Sequence, residues 1–217
     1  MDPLHLIVAL GPLGAYLLVI GLIHLGARPI VTTGGRDLAA LAFGISGLII
    51  VGPMELFLPD APARRFGPYV WLLLIALYGL GVTLITLLSR PRLVIYNVTS
   101  DQLRASLAKA ADKLESQARW AGDCLVLPNC GVQLQVEILP PSRVGELLSV
   151  GPRQSLNGWR QLESELRESL EELHPPRRSW YGAMMAIAGV GSLLIAGYWL
   201  VNHHQLVAQG LRDMLNR

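Results

Sequence analysis

Four residues carry the side chains best suited to chemistry at a membrane: His5, Glu55, His203 and His204. Each lies near an end of a long apolar segment. Imidazole and carboxylate groups together are a reasonable ligand set for zinc or another transition metal. One hypothesis is therefore that the four converge on a metal. We favour the alternative, in which the histidines are spread around a helix bundle and hydrated, because nothing in the sequence fixes their mutual geometry.

Glu55 is the one acidic residue inside a predicted membrane span. A carboxylate in the bilayer is costly, and such residues are functional candidates by default. Glu55 lies about a turn before Pro59, however, and follows Pro53, which predicts a kink. A shallow carboxylate at this depth reaches the headgroups, so a purely structural role stays open beside a functional one.

Familiar catalytic and cofactor motifs are absent from the sequence: it contains no P-loop, GxSxG, HExxH or dinucleotide fingerprint. Cys124 and Cys130 lie six residues apart around a predicted hairpin turn, beyond disulfide reach in regular strands. We predict free thiols and no cofactor, and we favour a non-enzymatic protein over an enzyme.

The elements that position these side chains are apolar helices. Charged residues make up 16% of the 217 residues and hydrophobic residues 52%, whereas a soluble globular protein carries about 25% charged residues. Four segments have the roughly 20 apolar residues that a helix needs to cross a bilayer. They are residues 4–25, 38–58 and 68–89, within a membrane region 1–89, and residues 179–202.

The last of these segments has the clearest membrane pattern. Trp180 and Tyr181 open it, and Tyr198 and Trp199 close it. The 17 residues from Tyr181 to Tyr198 correspond to about 26 Å of helix, which matches the separation of the aromatic belts at the two faces of a bilayer. Residues 203–217 follow as an amphipathic tail, either lying on the membrane surface or docking on another subunit.

Residues 90–178 are predicted to form a small water-soluble α+β domain with the order β-α-β-β-β-β-α. A strand over 93–98 leads into a helix whose start, Thr99 to Gln102, matches a capping box. Asn97 begins a glycosylation sequon, but capping accounts for Thr99. Residues 132–138 alternate apolar and polar side chains, which indicates a half-buried strand. The fold class is thus a four-span helical membrane protein with an inserted antiparallel sheet and two helices on its apolar face.

Basic residues beside the spans indicate the orientation. If the N-terminus is outside, six arginines flank the spans on the cytoplasmic side: Arg28, Arg36, Arg90, Arg92, Arg177 and Arg178. Four flank them on the outer side: Arg64, Arg65, Arg212 and Arg217. The positive-inside rule therefore favours a cytoplasmic α+β domain. Only two of the 18 basic residues are lysines, which is typical of GC-rich bacterial genomes, so we expect a bacterial inner membrane protein.

The charge balance and the small residues limit which binding partners are expected. Residues 93–174 hold eight basic and eleven acidic residues, so no nucleic-acid partner is expected. Small residues recur in the spans and predict close helix packing, within one chain or between copies: Gly11, Gly14, Gly44, Gly47, Gly79, Gly81, Gly189 and Gly191.

These observations predict a non-enzymatic accessory or scaffold subunit that presents a cytoplasmic interaction domain. The alternatives are a membrane enzyme or metal-handling protein that uses the His/Glu set, and a transporter or channel subunit. Four mostly uncharged helices offer little polar pathway, so the last alternative requires an oligomer.

Overall fold

The computed structural model describes residues 3–26, 28–56, 67–139, 142–152, 154–171 and 180–216. Its helices are α1 (Pro3–Leu25), α2 (Gly34–Ile49), α3 (Tyr69–Leu88), α4 (Ser100–Leu114), α5 (Leu156–Glu171), α6 (Trp180–Asn202) and α7 (His204–Asn216). Its strands are β1 (Ile30–Thr33), β2 (Arg92–Tyr96), β3 (Arg119–Ala121), β4 (Cys124–Leu127), β5 (Val132–Leu139) and β6 (Val144–Ser149).

Within the described residues, four helical segments are long and apolar enough to cross a membrane: α1, Gly34–Met54, α3 and α6. The predicted helices at the four apolar segments are thus present. The second differs from its prediction of 38–58, because it begins at Gly34 and is described only to Leu56. Thr33 explains the earlier start, since its hydroxyl accepts a hydrogen bond from the Arg36 amide at 3.4 Å and caps the helix.

The predicted kink at Pro53 takes the form of a π-helical turn. This turn spans Ile50–Met54 and continues α2 directly. The amide of Glu55 donates to the carbonyl of Ile50, five residues earlier. A proline ring clashes with the carbonyl four residues before it in an α-helix, and the wider turn relieves that clash.

Half of the predicted packing glycines lie against a neighbouring helix. Gly14 and Gly189 are placed where α1 meets α6, and a Cβ at Gly189 would lie 2.8 Å from the Gly14 carbonyl oxygen. Gly44 and Gly47 of α2 lie against Tyr16 and Val8 of α1. The other four, which are Gly11, Gly79, Gly81 and Gly191, have no atom within 4 Å of a built Cβ among the described residues.

The sheet is antiparallel throughout and has six strands in the order β1-β2-β6-β5-β4-β3. Five of them were predicted, whereas β1 was not. Residues 30–33 were assigned to a connection between two spans, but they pair with β2 from Ile30 opposite Tyr96 to Thr33 opposite Leu93. β1 is short and its partner lies about sixty residues away, so no local pattern reveals the pairing.

Side chains from both domain helices and from the sheet form one hydrophobic core. The core between them contains the fully buried Ile95, Leu107, Leu134 and Leu162. Each such side chain stabilises the fold by about 1.5–3 kcal/mol relative to its exposed state. The predicted capping box at Thr99 is also present and starts α4.

The tail forms the helix α7 and docks on another helix. The indole Nε1 of Trp71 in α3 donates to the carbonyl oxygen of Met214 at 2.8 Å. Trp71 itself is buried. The tail is therefore packed against the chain near its end, although Leu206 and Leu211 keep exposed apolar side chains.

The chain divides into two compact units. One comprises Met1–Gly21, Leu38–Leu88 and Met184–Arg217, and holds most of the apolar helices. The other comprises Leu22–Asp37 and Ser89–Ala183, and holds the sheet. The chain therefore passes between the units four times.

Candidate functional site

His5 and Glu55 are brought together in the helical unit. His5 lies in the first turn of α1, and Glu55 lies directly after the π-helical turn. The His5 Nε2 atom is 2.5 Å from the Glu55 Oε2 atom, and their side chains are 30% and 14% exposed. The contact is a side-chain hydrogen bond that joins the ends of two helices.

His203 and His204 are placed differently. The His203 ring stacks on Trp199, with ring centroids 4.4 Å apart. His204 is exposed, and its Nδ1 atom lies 3.4 Å from the Val201 carbonyl oxygen. Across the described segments, no three or more His, Cys, Asp or Glu side chains are grouped so that they could hold a metal ion. The hypothesised ligand set of four residues is therefore not assembled; two of its members meet.

An open apolar groove of about 250 Å³ adjoins the π-helical turn. Its walls come from the turn and from α3: Pro53, Met54, Leu74, Leu77 and Tyr78. The Tyr78 hydroxyl donates to the Ala42 carbonyl oxygen at 2.7 Å, which directs the polar end of that side chain towards α2. The other four lining residues are apolar, so this surface is suited to contact with hydrocarbon chains.

A second polar cluster lies in the sheet unit, on the face that the domain helices leave open. The Tyr96 hydroxyl donates to Asp37 Oδ1 at 2.5 Å. Arg92 lies between two carboxylates, 3.9 Å from Asp37 and 3.8 Å from Glu146. Gly34 permits this arrangement, because a Cβ there would overlap the Arg92 side chain. The cluster ties the start of α2 to β2 and β6 by charge-assisted contacts.

His24 closes one side of this cluster. Its side chain is buried, and its ring meets that of Tyr96 edge-on, with centroids 5.5 Å apart and an interplanar angle of 77°. A Cβ at Gly182 would lie 2.8 Å from the His24 Cβ, so the first turn of α6 approaches it closely. His24 thus fills space between Gly182 and Tyr96.

Asn97 fixes the exit of α1. It has a left-handed backbone with φ of 61°, which asparagine tolerates better than most residues. Its buried amide nitrogen donates to the carbonyls of Ile23, Gly26 and Arg28, the last two at 3.3 and 3.4 Å. These bonds satisfy carbonyls that a helix end leaves open. Because the amide is buried, the sequon at Asn97 has no accessible acceptor.

Glu115 and Cys130 form a third polar contact. The Glu115 carboxylate is buried and accepts hydrogen bonds from the Asn129 amide at 3.0 Å and the Cys130 amide at 3.3 Å. Burial, reinforced by the charge and hydrogen bond of Glu115, raises the pKa of the Cys130 thiol. Both cysteines are free, as predicted. Cys130 is therefore a poor nucleophile at neutral pH.

Sequence reasoning named His5 and Glu55 but missed the cluster around Arg92. In the structure Asp37, at the start of α2, binds Tyr96 and Arg92. The run Ile30–Thr33, bounded by Pro29 and Gly34, is rich in β-branched residues and is the signal that could have revealed the strand beside this cluster.

Comparison with known proteins finds no matching family model, and neither the curated proteins nor the solved structures contain a significant match.

Proposed function

We propose that this chain is an integral membrane protein that acts as a non-enzymatic accessory or scaffold subunit and binds a protein partner through its sheet unit. In this proposal the four long helices cross a bacterial inner membrane, the N-terminus lies outside and the sheet unit faces the cytoplasm.

Exposed apolar surface supports membrane embedding. The helix α3 exposes large apolar side chains over most of its surface: Leu72, Leu73, Ile75, Leu77, Leu80, Leu84, Ile85, Leu87 and Leu88. Soluble proteins rarely expose contiguous apolar patches larger than a few hundred Å². Lipid is the solvent that such a surface requires.

The observation that carries the subunit proposal is the sixth strand. Because β1 lies between α1 and α2, the sheet incorporates the connection between two apolar helices. A partner bound to the sheet is then attached to the membrane through four chain connections instead of two. That connectivity suits a protein whose task is to hold another protein at the membrane.

The open face of the sheet offers the binding surface. Gln133 and Glu137 are exposed there, and Leu148 of β6 is half-buried beside them. Glu137 also lies directly opposite Glu146, and like charges at such positions destabilise a sheet. Arg92 partly neutralises Glu146, so Glu137 is the carboxylate that gains most from a basic contact on a partner.

Photo-crosslinking in native membranes tests this proposal. A photo-reactive residue at Glu137 on the open face is compared with one at Gln161, which is exposed on α5. After mild-detergent purification we expect a stoichiometric partner, cross-linked at 137 and not at 161. A chain that elutes alone and cross-links at neither position would contradict the proposal.

A further inference from the structure

Three arginines in the sheet unit lie close to the ends of apolar helices. Arg28 follows the end of α1 by three residues, Arg36 lies in the first turn of α2, and Arg90 follows the end of α3 by two residues. All three are exposed. We call them the junction arginines.

Strand pairing sets their relative positions. β1 and β2 are adjacent and antiparallel, with Thr33 opposite Leu93. Arg36 comes after β1 and Arg90 comes before β2, so both lie at the same end of this strand pair. Arg28 precedes β1 and lies beyond its other end, and β1 itself is about 10 Å long.

The neighbouring carboxylates do not neutralise these arginines. Asp37 and Glu146 both face Arg92. Two negative charges and the one positive charge of Arg92 leave a single negative charge near the three junction arginines. Among the residues that the structure describes, no carboxylate forms an ion pair with any junction arginine. The surface is therefore positively charged and open.

We propose that the junction arginines bind the headgroups of anionic phospholipids. This rests on the membrane embedding proposed above, because residues two or three positions from a span end lie at headgroup depth. A guanidinium group can donate two parallel hydrogen bonds to a phosphate. Ile30, 41% exposed on the same edge strand, adds an apolar side chain at the depth where headgroups meet acyl chains.

Native mass spectrometry of the full chain in a non-ionic detergent tests this proposal. The probes are phosphatidylglycerol, phosphatidylcholine with identical chains, and inorganic phosphate. A basic residue beside an anionic headgroup contributes about fivefold in affinity, so replacing all three arginines by glutamine lowers phosphatidylglycerol binding by at least about fivefold at each headgroup that an arginine contacts. Phosphatidylcholine binding is expected to stay unchanged.

A matched variant removes the same number of charges elsewhere in the sheet unit, at the exposed Arg104, Arg119 and Arg160. We expect it to bind phosphatidylglycerol like the wild type. Equal losses in both triple variants, or no loss in the junction variant, would overturn the proposal. Displacement of the lipid by millimolar inorganic phosphate would also overturn it, because the site would then take a free anion.

Failure of this inference is distinguishable from failure of the subunit proposal. Lipid binding is measured on purified protein without a partner, whereas the subunit proposal depends on cross-linking at position 137. Loss of the partner from the junction variant with unchanged lipid binding would assign the arginines to a protein contact. If the triple variant does not fold, the three single variants decide, each with an expected fivefold loss.

Discussion

Replacing Gly189 by alanine is expected to destabilise the packing of α6 against α1. A Cβ at this position would lie 2.5 Å from the Leu18 amide nitrogen, 2.8 Å from the Gly14 carbonyl oxygen and 2.9 Å from the Leu18 Cα. Non-bonded heavy atoms prefer about 3.5–4.0 Å, so the helices must separate by roughly 1 Å. All three atoms belong to the backbone and cannot rotate away. Overpacking of this kind costs about 1–3 kcal/mol.

Gly191 provides the control in the same helix, since a Cβ there meets no described atom within 4 Å. Alanine at this position gains up to about 1 kcal/mol of helix propensity. Thermal unfolding of the full chain in detergent should show Gly189→Ala melting about 2–12 °C below the wild type, and Gly191→Ala at or slightly above it. Equal melting temperatures for the two variants would refute the close α1–α6 contact.

Three further predictions concern polar contacts. Glu115→Gln removes the negative charge beside the Cys130 thiol and should lower the raised pKa of that thiol. Alkylation of Cys130 at pH 8 should therefore become faster. An unchanged alkylation rate would show that Glu115 does not raise the pKa. Asn97→Ala leaves buried carbonyls at the end of α1 without a donor and should lower the free energy of unfolding by about 1–3 kcal/mol in a denaturant titration. A double-mutant cycle between His5→Ala and Glu55→Ala should give a coupling of about 1–3 kcal/mol, and additive effects would show that the pair does not interact.

Local patterns predicted most of the sheet unit. The alternation over Val132–Leu139 reports burial on one side of a strand, and the structure buries Val132, Leu134 and Val136. The capping box at Thr99 is a contact between residues three apart, so the sequence contains both partners side by side. Signals of this kind require no knowledge of distant parts of the chain.

Contacts over long separations were not predictable in the same way. Tyr96 and Asp37 are 59 residues apart, and Asn97 bonds carbonyls that lie 69 to 74 residues earlier. Tyr96 has a local explanation as part of a strand, and Asn97 has one as part of a sequon. His5 and Glu55 were members of one hypothesised ligand set, but only the folded chain brings their side chains into contact.

The central point of the proposal is that the four long helices cross a membrane, with position 137 in the cytoplasm and position 209 outside. Its most direct test is impermeant maleimide labelling of intact cells, with Cys124 and Cys130 replaced by serine and one exposed cysteine introduced at Glu137 or Gln209. The account predicts a chain that resists carbonate extraction, labels at 209 in intact cells, and labels at 137 only after permeabilisation. A chain released by carbonate, or equal labelling of both positions in intact cells, would contradict it.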